Sequence, residues 1–441
     1  MTNTALPEPE RDTLLESSLM VLLVVSVMLS VFFPVLRPIG GLLLLLLAIA
    51  CFPALRRGQQ IGIAALVACG IALTAWGVLR GFRPSFGSLF SLNQEIVAMI
   101  LAVSFVALIA NLHEGAPPRL KGIPAVFRTA AISHVLGSVI NLSAVSLIGD
   151  RLARGGPLST PNALLLSRTY SMGAYWSPFW AAAAAALAFA PGANSSVLIS
   201  VGLVMAMCTL VLAVIGVVRR MGPEVKDYQG YGLSPTVIIL PLVLMASVMI
   251  AHWIWPEVKT TNIVLMSSLA VTVVVLLWRN PRHFFGTLLQ HSRRDLPKMR
   301  SESSLFAAAG VLAVGFSVFL QTTQVELPGV EFGVLFAWVA MIVVIVMSVV
   351  GVHQIITIGV LASVLGPLNP DPTLFAMACT AAWGTCAALS PVGGLNMFIM
   401  GRYGVSSIAL SRGNALYAVG VIVLALPILG FVGWYTGTSW W

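Results

Sequence analysis

The apolar residues of this chain come in blocks of about twenty, the length a helix needs to cross a bilayer. Eleven such blocks predict helices over 18–36, 39–55, 60–79, 94–112, 163–190, 196–218, 235–253, 262–278, 304–322, 373–400 and 405–432. Two further apolar stretches, 123–149 and 333–366, are interrupted near their middles. The first carries Gly137, Ser138, Asn141 and Ser143, and the second Ser348, Gly351, His353, Gln354 and Thr357. Non-helical backbone at membrane depth survives only where protein or a wet cavity covers it. We therefore read both stretches as re-entrant hairpins lining a site.

Composition agrees. Of 441 residues, 58% are hydrophobic and 9% charged, against roughly 25% charged in soluble proteins. A soluble enzyme, a disordered tail and a nucleic-acid-binding domain are excluded. The expected class is an all-α polytopic membrane protein of about eleven transmembrane helices, with the lipid membrane and not nucleic acid as its surroundings. Cys51, Cys69, Cys208, Cys379 and Cys386 sit in apolar segments without CxxC spacing and read as small hydrophobes. Glu8, Glu10, Asp12 and Glu16 make the wrong leading segment for a cleavable signal, so the first block reads as a retained helix.

Charge sets the orientation. With the N-terminus inside and each hairpin entering and leaving on one side, 20 basic residues face the cytoplasm. Only Arg37, Arg80, Arg83 and Lys259 then lie outside. This split obeys the positive-inside rule, and counting either hairpin as a single crossing spoils it. The expected location is the inner cell membrane, with the C-terminus outside and anchored by Trp434, Trp440 and Trp441.

An internal repeat appears at an offset of 213, where Ser177-Pro178 falls on Ser390-Pro391, Asn141 on Gln354, and Tyr170 on Trp383. Short amphipathic stretches precede the fourth span of each half, with Phe82, Phe86, Leu89 and Phe90 in one and Phe284, Phe285, Leu288, Leu289 and Leu296 in the other. By the charge count they lie on opposite sides, so the halves are inverted, a frequent property of secondary transporters. The chain then divides into an N-terminal segment and first helix (1–38), a first repeat (39–220), the start of the second with its basic loop (221–303), and the remainder (304–441).

Ser177 and Ser390 lie near the middle of their spans. Serine followed by proline reads as a helix N-cap followed by the first helical position. Each span therefore reads as two half-helices, the second presenting free N–H groups to the membrane centre. Such ends favour an anionic or polarised substrate. Tyr175, Trp176, Phe179 and Trp180 surround the first break and Gly393 and Gly394 follow the second. One wall is then bulky and the other open backbone, which suits a small organic anion with some apolar body.

With Gly137-Ser138 and Asn141 before Ser177-Pro178, and Gly351-Val352-His353-Gln354 before Ser390-Pro391-Val392-Gly393-Gly394-Leu395-Asn396, the chain resembles the ion-transporter superfamily. That superfamily includes divalent-anion/sodium symporters, citrate transporters and the large membrane subunits of tripartite transporters. The resemblance implies an elevator-type carrier, its expected partners being a second copy of the chain in a homodimer or a periplasmic binding protein. It implies substrate contacts from Ser138, Asn141, Ser177, Pro178, His353, Gln354, Ser390, Pro391, Gly393, Gly394 and Asn396. The Ser-Asn-Thr triplets of the divalent-anion symporters are absent at the hairpin tips, which puts a dicarboxylate substrate in doubt.

Among the acids only Glu95 falls within a predicted span, near its end, and Asp150 marks a hairpin mouth. Coupling by a buried carboxylate is not expected. Sodium is the expected coupling ion, held by oxygens of Asn141, Ser143, Thr357 and Thr385, with no other cofactor and no resident metal. His134 and His353 read first as hydrogen-bonded structural histidines, His353 being the better proton carrier. Arg168 reads either as an anion ligand at the inner gate or as a side chain reaching the interface. An intramembrane enzyme finds no support: HExxH, GxSxG and paired carboxylates are missing.

Overall fold

A computed structural model describes residues 13–441 except 85–86, 88–89, 91–92, 111–119, 141, 154–155, 231–235 and 324–330, and except the side chains of 143 and 236–238. Among the described residues, helix accounts for 83% and no strand occurs. Among the described residues, seven helical segments are long and apolar enough to cross a membrane: Pro34–Ala54, Arg57–Leu79, Ser195–Asp227, Thr260–Arg279, Pro281–Thr323, Pro372–Tyr403 and Ser407–Thr436. The chain is a multi-pass membrane protein. Its outer surface is correspondingly apolar, with Trp253, Trp278 and Leu416 each more than four-fifths exposed.

In chain order the helices are α1 (Leu14–Ser30), α2 (Arg37–Cys51), α3 (Arg57–Leu79), α4 (Gln94–Ser104), α5 (Ile123–Gly137), α6 (Ser143–Ala153), α7 (Thr160–Ser171), α8 (Ala181–Phe189) and α9 (Ser195–Met221). They continue as α10 (Thr236–Ile254), α11 (Thr260–Arg279), α12 (Phe284–Arg294), α13 (Arg300–Thr323), α14 (Val334–Val349), α15 (Gln354–Leu365), α16 (Pro372–Leu389), α17 (Gly394–Tyr403) and α18 (Ser407–Thr436). Several expected spans are shorter here than a bilayer crossing. Backbone breaks explain the clearest case, 163–190, which becomes α7, a 3-10 turn over Met172–Tyr175, and α8.

The helices pack in two neighbourhoods. α1, α2 and α4 lie together with α11 and α13, and α3 packs along α13. The α3–α13 seam is made by small residues: a Cβ on Gly315 would sit 2.3 Å from the carbonyl oxygen of Gly70, and one on Gly70 2.6 Å from that of Val311. α3 buries only a narrow stripe, Ile63, Gly70 and Gly77, one residue every two turns. The second neighbourhood joins α5 to α7, α14 to α16, and α9 and α16 to α18.

Both interrupted stretches form helix pairs with short tips. α5 and α6 flank residues 138–142, and α14 and α15 flank residues 350–353. The mouth of the first pair meets the end of α9, where Gly122 N donates to Tyr228 O at 2.8 Å. The mouth of the second pair is held by the C-terminal tail. Val334 N donates to Ser439 O at 2.9 Å and Leu335 N to Trp440 O at 3.0 Å, which satisfies two N–H groups otherwise orphaned at the start of α14.

Candidate functional site

The two breaks follow one plan. The Ser177 hydroxyl donates to the carbonyl of Ser138 at the first tip. The Ser390 hydroxyl donates to the carbonyl of Ser348, 2.7 Å away, on the last turn of α14. Each break is thereby fastened to the helix pair that precedes it. Rings complete the match: Tyr170 abuts Gly137, where a Cβ would come within 2.7 Å of the ring, and Trp383 meets His353 edge-on at 5.8 Å. Trp180 adds a further bond at the first tip, its Nε1–H donating to Gly137 O at 2.8 Å.

The serines are not helix caps, contrary to the sequence reading. α8 is capped by Trp180 and α17 by Gly393, three residues beyond each serine. A turn comes first: Trp180 N donates to Ser177 O at 3.2 Å and Gly393 N to Ser390 O at 3.2 Å. The Ser177 hydroxyl accepts from Phe179 N at 3.2 Å, two residues on, the local turn pattern that competes with a cap. The free N–H groups of the second half-helices therefore begin at residues 181 and 394, beyond the prolines. Gly384 lies inside α16, where a Cβ would come within 2.3 Å of the Tyr175 ring.

Most of the sequence-predicted residues gather around these breaks. Ser138, Ser177, Pro178, Ser390 and Asn396 are buried, Pro391 and Gly393 are half-buried, and Gly394 is exposed. Asn396 is fully enclosed. Its amide nitrogen donates to Ala388 O at 2.8 Å and Ser390 O at 3.0 Å, and its oxygen accepts from Ser167 Oγ at 3.1 Å. His353 caps α15, its Nδ1 accepting from Ile355 N at 3.3 Å, and Gln354 is the first residue of that helix. Thr385 donates to Ala381 O at 2.8 Å, and the Tyr175 hydroxyl lies 3.5 Å from it. The Thr357 hydroxyl is buried with no partner. Asn141 and the side chain of Ser143 lie outside the described residues.

His134 is a satisfied structural histidine. Trp176 Nε1–H donates to its Nε2 at 3.1 Å, which leaves Nδ1–H to donate to Thr169 O at 3.3 Å. Arg168 neither reaches the interface nor waits for an anion. It is 3% exposed and donates to Asn414 Oδ1 at 2.8 Å, Gly413 O at 2.9 Å and Ala213 O at 3.5 Å, with its guanidinium 5.0 Å from the Tyr417 ring centre. Asn414 in turn donates to Ala388 O at 2.7 Å and Ser167 Oγ at 3.2 Å. Arg168, Ser167, Asn396 and Asn414 thus form one polar knot tying α7, α17 and α18 to the end of α16. Sequence reading passed over Asn414, although an amide within an otherwise apolar segment was the available signal.

A cavity of about 1620 Å³ opens on the face carrying Arg37, Glu95 and Lys259. Lys259 pairs with both oxygens of Glu95 at 2.9 Å on its rim. Its lining also includes Leu187, Phe189, Val314 and Ala362. Leu187, Ser195 and Thr260 also line a narrow slot of about 10 Å³ that ends at Trp176, Pro178 and Thr380. The cavity thus approaches the first break past Leu187 and the hydroxyls of Ser195 and Thr260, and His353, Gln354, Ser390 and Asn396 line neither space. On another side, Asp150 of α6 accepts from Arg402 Nε at 2.9 Å, Arg402 Nη2 at 2.6 Å and Tyr403 Oη at 2.8 Å. The Arg402 hydrogen bonds hold the Asp150 carboxyl below its ordinary range against the opposing effect of burial, with the Tyr403 hydroxyl helping.

Among the described residues no group of three or more His, Cys, Asp or Glu side chains could hold a metal ion. No protein-family model and no curated protein sequence matches this chain.

Proposed function

We propose that the chain is a secondary active transporter, moving a small organic anion across the cytoplasmic membrane by elevator-type alternating access. The observation that carries this reading is the pair of matched fastenings, Ser177 to Ser138 and Ser390 to Ser348, at breaks 213 residues apart in sequence. A repeat that places two interrupted helices and two helix pairs in corresponding positions suits two inverted halves around one site. On this reading there are eleven crossings and two re-entrant hairpins, with the N-terminus inside and the C-terminus outside. The substrate lies between the tips and the breaks, and the cavity on the Lys259 face is its outer entrance. α5–α9 and α14–α18 are the moving part. α2, α3, α10 and α11 are the fixed part, through which two copies pair.

Sodium is the proposed coupling ion. The unpartnered Thr357 hydroxyl is the side-chain oxygen that most favours a cation ligand, beside Thr385, Asn141 and Ser143. The aromatic slot at Trp176 and Pro178 favours a substrate with an apolar body. The test is alanine substitution of Asn141, Gln354, Ser177 and Ser390 one at a time, with ligand binding measured on folded, membrane-inserted protein. Weakened binding in these variants supports the site, and unchanged binding in all four places it elsewhere.

A further inference from the structure

α12 is an amphipathic helix whose two faces have different tasks. One face is docked: Phe284 and His291 are buried, the His291 ring lies 4.5 Å from that of Phe105, and its Nε2 is 3.0 Å from Ser104 Oγ. The opposite face carries Phe285, Leu289 and Arg293 at successive turns, a single stripe at i, i+4 and i+8. Phe285 is 81% exposed and Leu289 52%, and Arg293 is exposed as well. Arg282, just before the helix, and Arg294, at its end, are also exposed. The last turns of α11, which precede this helix in the chain, also expose apolar side chains, at Val274, Leu277 and Trp278.

The charges on this surface are unbalanced. Residues 279–300 hold six Arg or Lys and one acid, Asp295. Asp295 is already engaged by Lys298 and His291, Arg279 Nη1 donates to Ile109 O, and Arg300 faces Glu16. The guanidiniums of Arg282, Arg293 and Arg294 have no hydrogen-bond or ion-pair partner among the described residues, and the Arg293 carbonyl accepts from Thr13 Oγ1 at 3.4 Å. Three guanidiniums without a partner among the described residues, on a helix with exposed aromatic and aliphatic side chains that follows a membrane-crossing helix in the chain, match the boundary between acyl chains and headgroups. We propose that α12 and the end of α11 form a binding surface for anionic phospholipid, with Arg282, Arg293 and Arg294 on the phosphate groups and Phe285, Leu289 and Trp278 among the acyl chains. The proposal requires only that the chain sits in a membrane, and stands apart from the transport reading.

The experiment is photo-cross-linking of the full chain in nanodiscs, using photoactivatable phosphatidylglycerol or photoactivatable phosphatidylcholine and mapping the labelled peptides. The expected result is labelling of residues 274–294 by phosphatidylglycerol at least about tenfold above phosphatidylcholine. A basic residue near an anionic surface contributes roughly fivefold in affinity. The R282Q/R293Q/R294Q triple variant should fall to the phosphatidylcholine level with its melting temperature unchanged, since these exposed side chains make no hydrogen bond or ion pair among the described residues. Equal labelling by both lipids, or labelling untouched by the triple variant, would overturn the proposal. So would competition by millimolar inorganic phosphate, which would mean a free-phosphate site. Labelling that appears only after Glu8, Glu10 and Asp12 are neutralised would also overturn it, because the chain's own N-terminal segment would then be the occupant.

Discussion

The Ser390 hydroxyl donates to the carbonyl of Ser348 across 2.7 Å, joining the second break to the second helix pair. Its counterpart, Ser177 to Ser138, adds an accepted bond from Phe179 N. Both serines are buried, so neither carbonyl has water to fall back on. Ser390→Ala should destabilise the protein by about 1–3 kcal/mol, and Ser177→Ala by at least as much, because it loses two bonds. Thermal unfolding in detergent, followed by intrinsic fluorescence, measures both. Stability unchanged in both variants would mean that the fastenings do not hold the breaks.

Arg168 is the centre of the polar knot, donating to three oxygens on α9 and α18. Lysine keeps the charge but cannot reproduce the planar fork. Arg168→Lys should therefore cost about 1–3 kcal/mol, and Arg168→Met should do so as well by leaving Asn414 and the Gly413 carbonyl short of a donor. The same unfolding assay reads both. A lysine variant as stable as the parent would count against a positioning role for the fork.

The α3–α13 seam depends on glycine because backbone atoms, not flexible side chains, occupy the space a methyl group would need. Gly315→Ala should push the helices apart and destabilise by about 1–3 kcal/mol, the usual range for overpacking. Gly286→Ala, where nothing lies within 4 Å, should be tolerated and serves as the control.

Asp150 predicts a pH signature. Its folded carboxyl titrates below the ordinary value of 3.8, so the pair with Arg402 stabilises above that value and loses its effect as pH falls through the folded value. The two side chains are 49% and 47% exposed, which limits the contribution to under about 1 kcal/mol. The difference in stability between the parent and Asp150→Asn should stay flat from about pH 8 to pH 5 and shrink in acid below that. A difference that changes near neutrality would point to another titrating group.

Much of this arrangement was legible in the sequence because apolar block length and proline position are strong signals. The breaks fall at Ser177 and Ser390, and both interrupted stretches form helix pairs with tips where the small and polar residues lie. The local form of the breaks was not legible. A serine before proline can cap a helix or open a turn, and the carbonyls of Ser138 at the first tip and Ser348 on the last turn of α14 decide the matter from far along the chain. Arg168 was misread for a similar reason. Its acceptors come from Ala213, Gly413 and Asn414, more than forty residues away, and no local pattern around position 168 announces them.

The central claim is coupled transport, and uptake into proteoliposomes containing the purified chain alone tests it most directly. A panel of small organic anions, graded in apolar size, is offered with and without an inward sodium gradient. The account predicts concentrative accumulation of at least one anion with an apolar body, dependent on the sodium gradient and lost when the gradient is collapsed. Movement that only equilibrates the anion whatever the gradient, or uptake that requires an added binding protein, would contradict it.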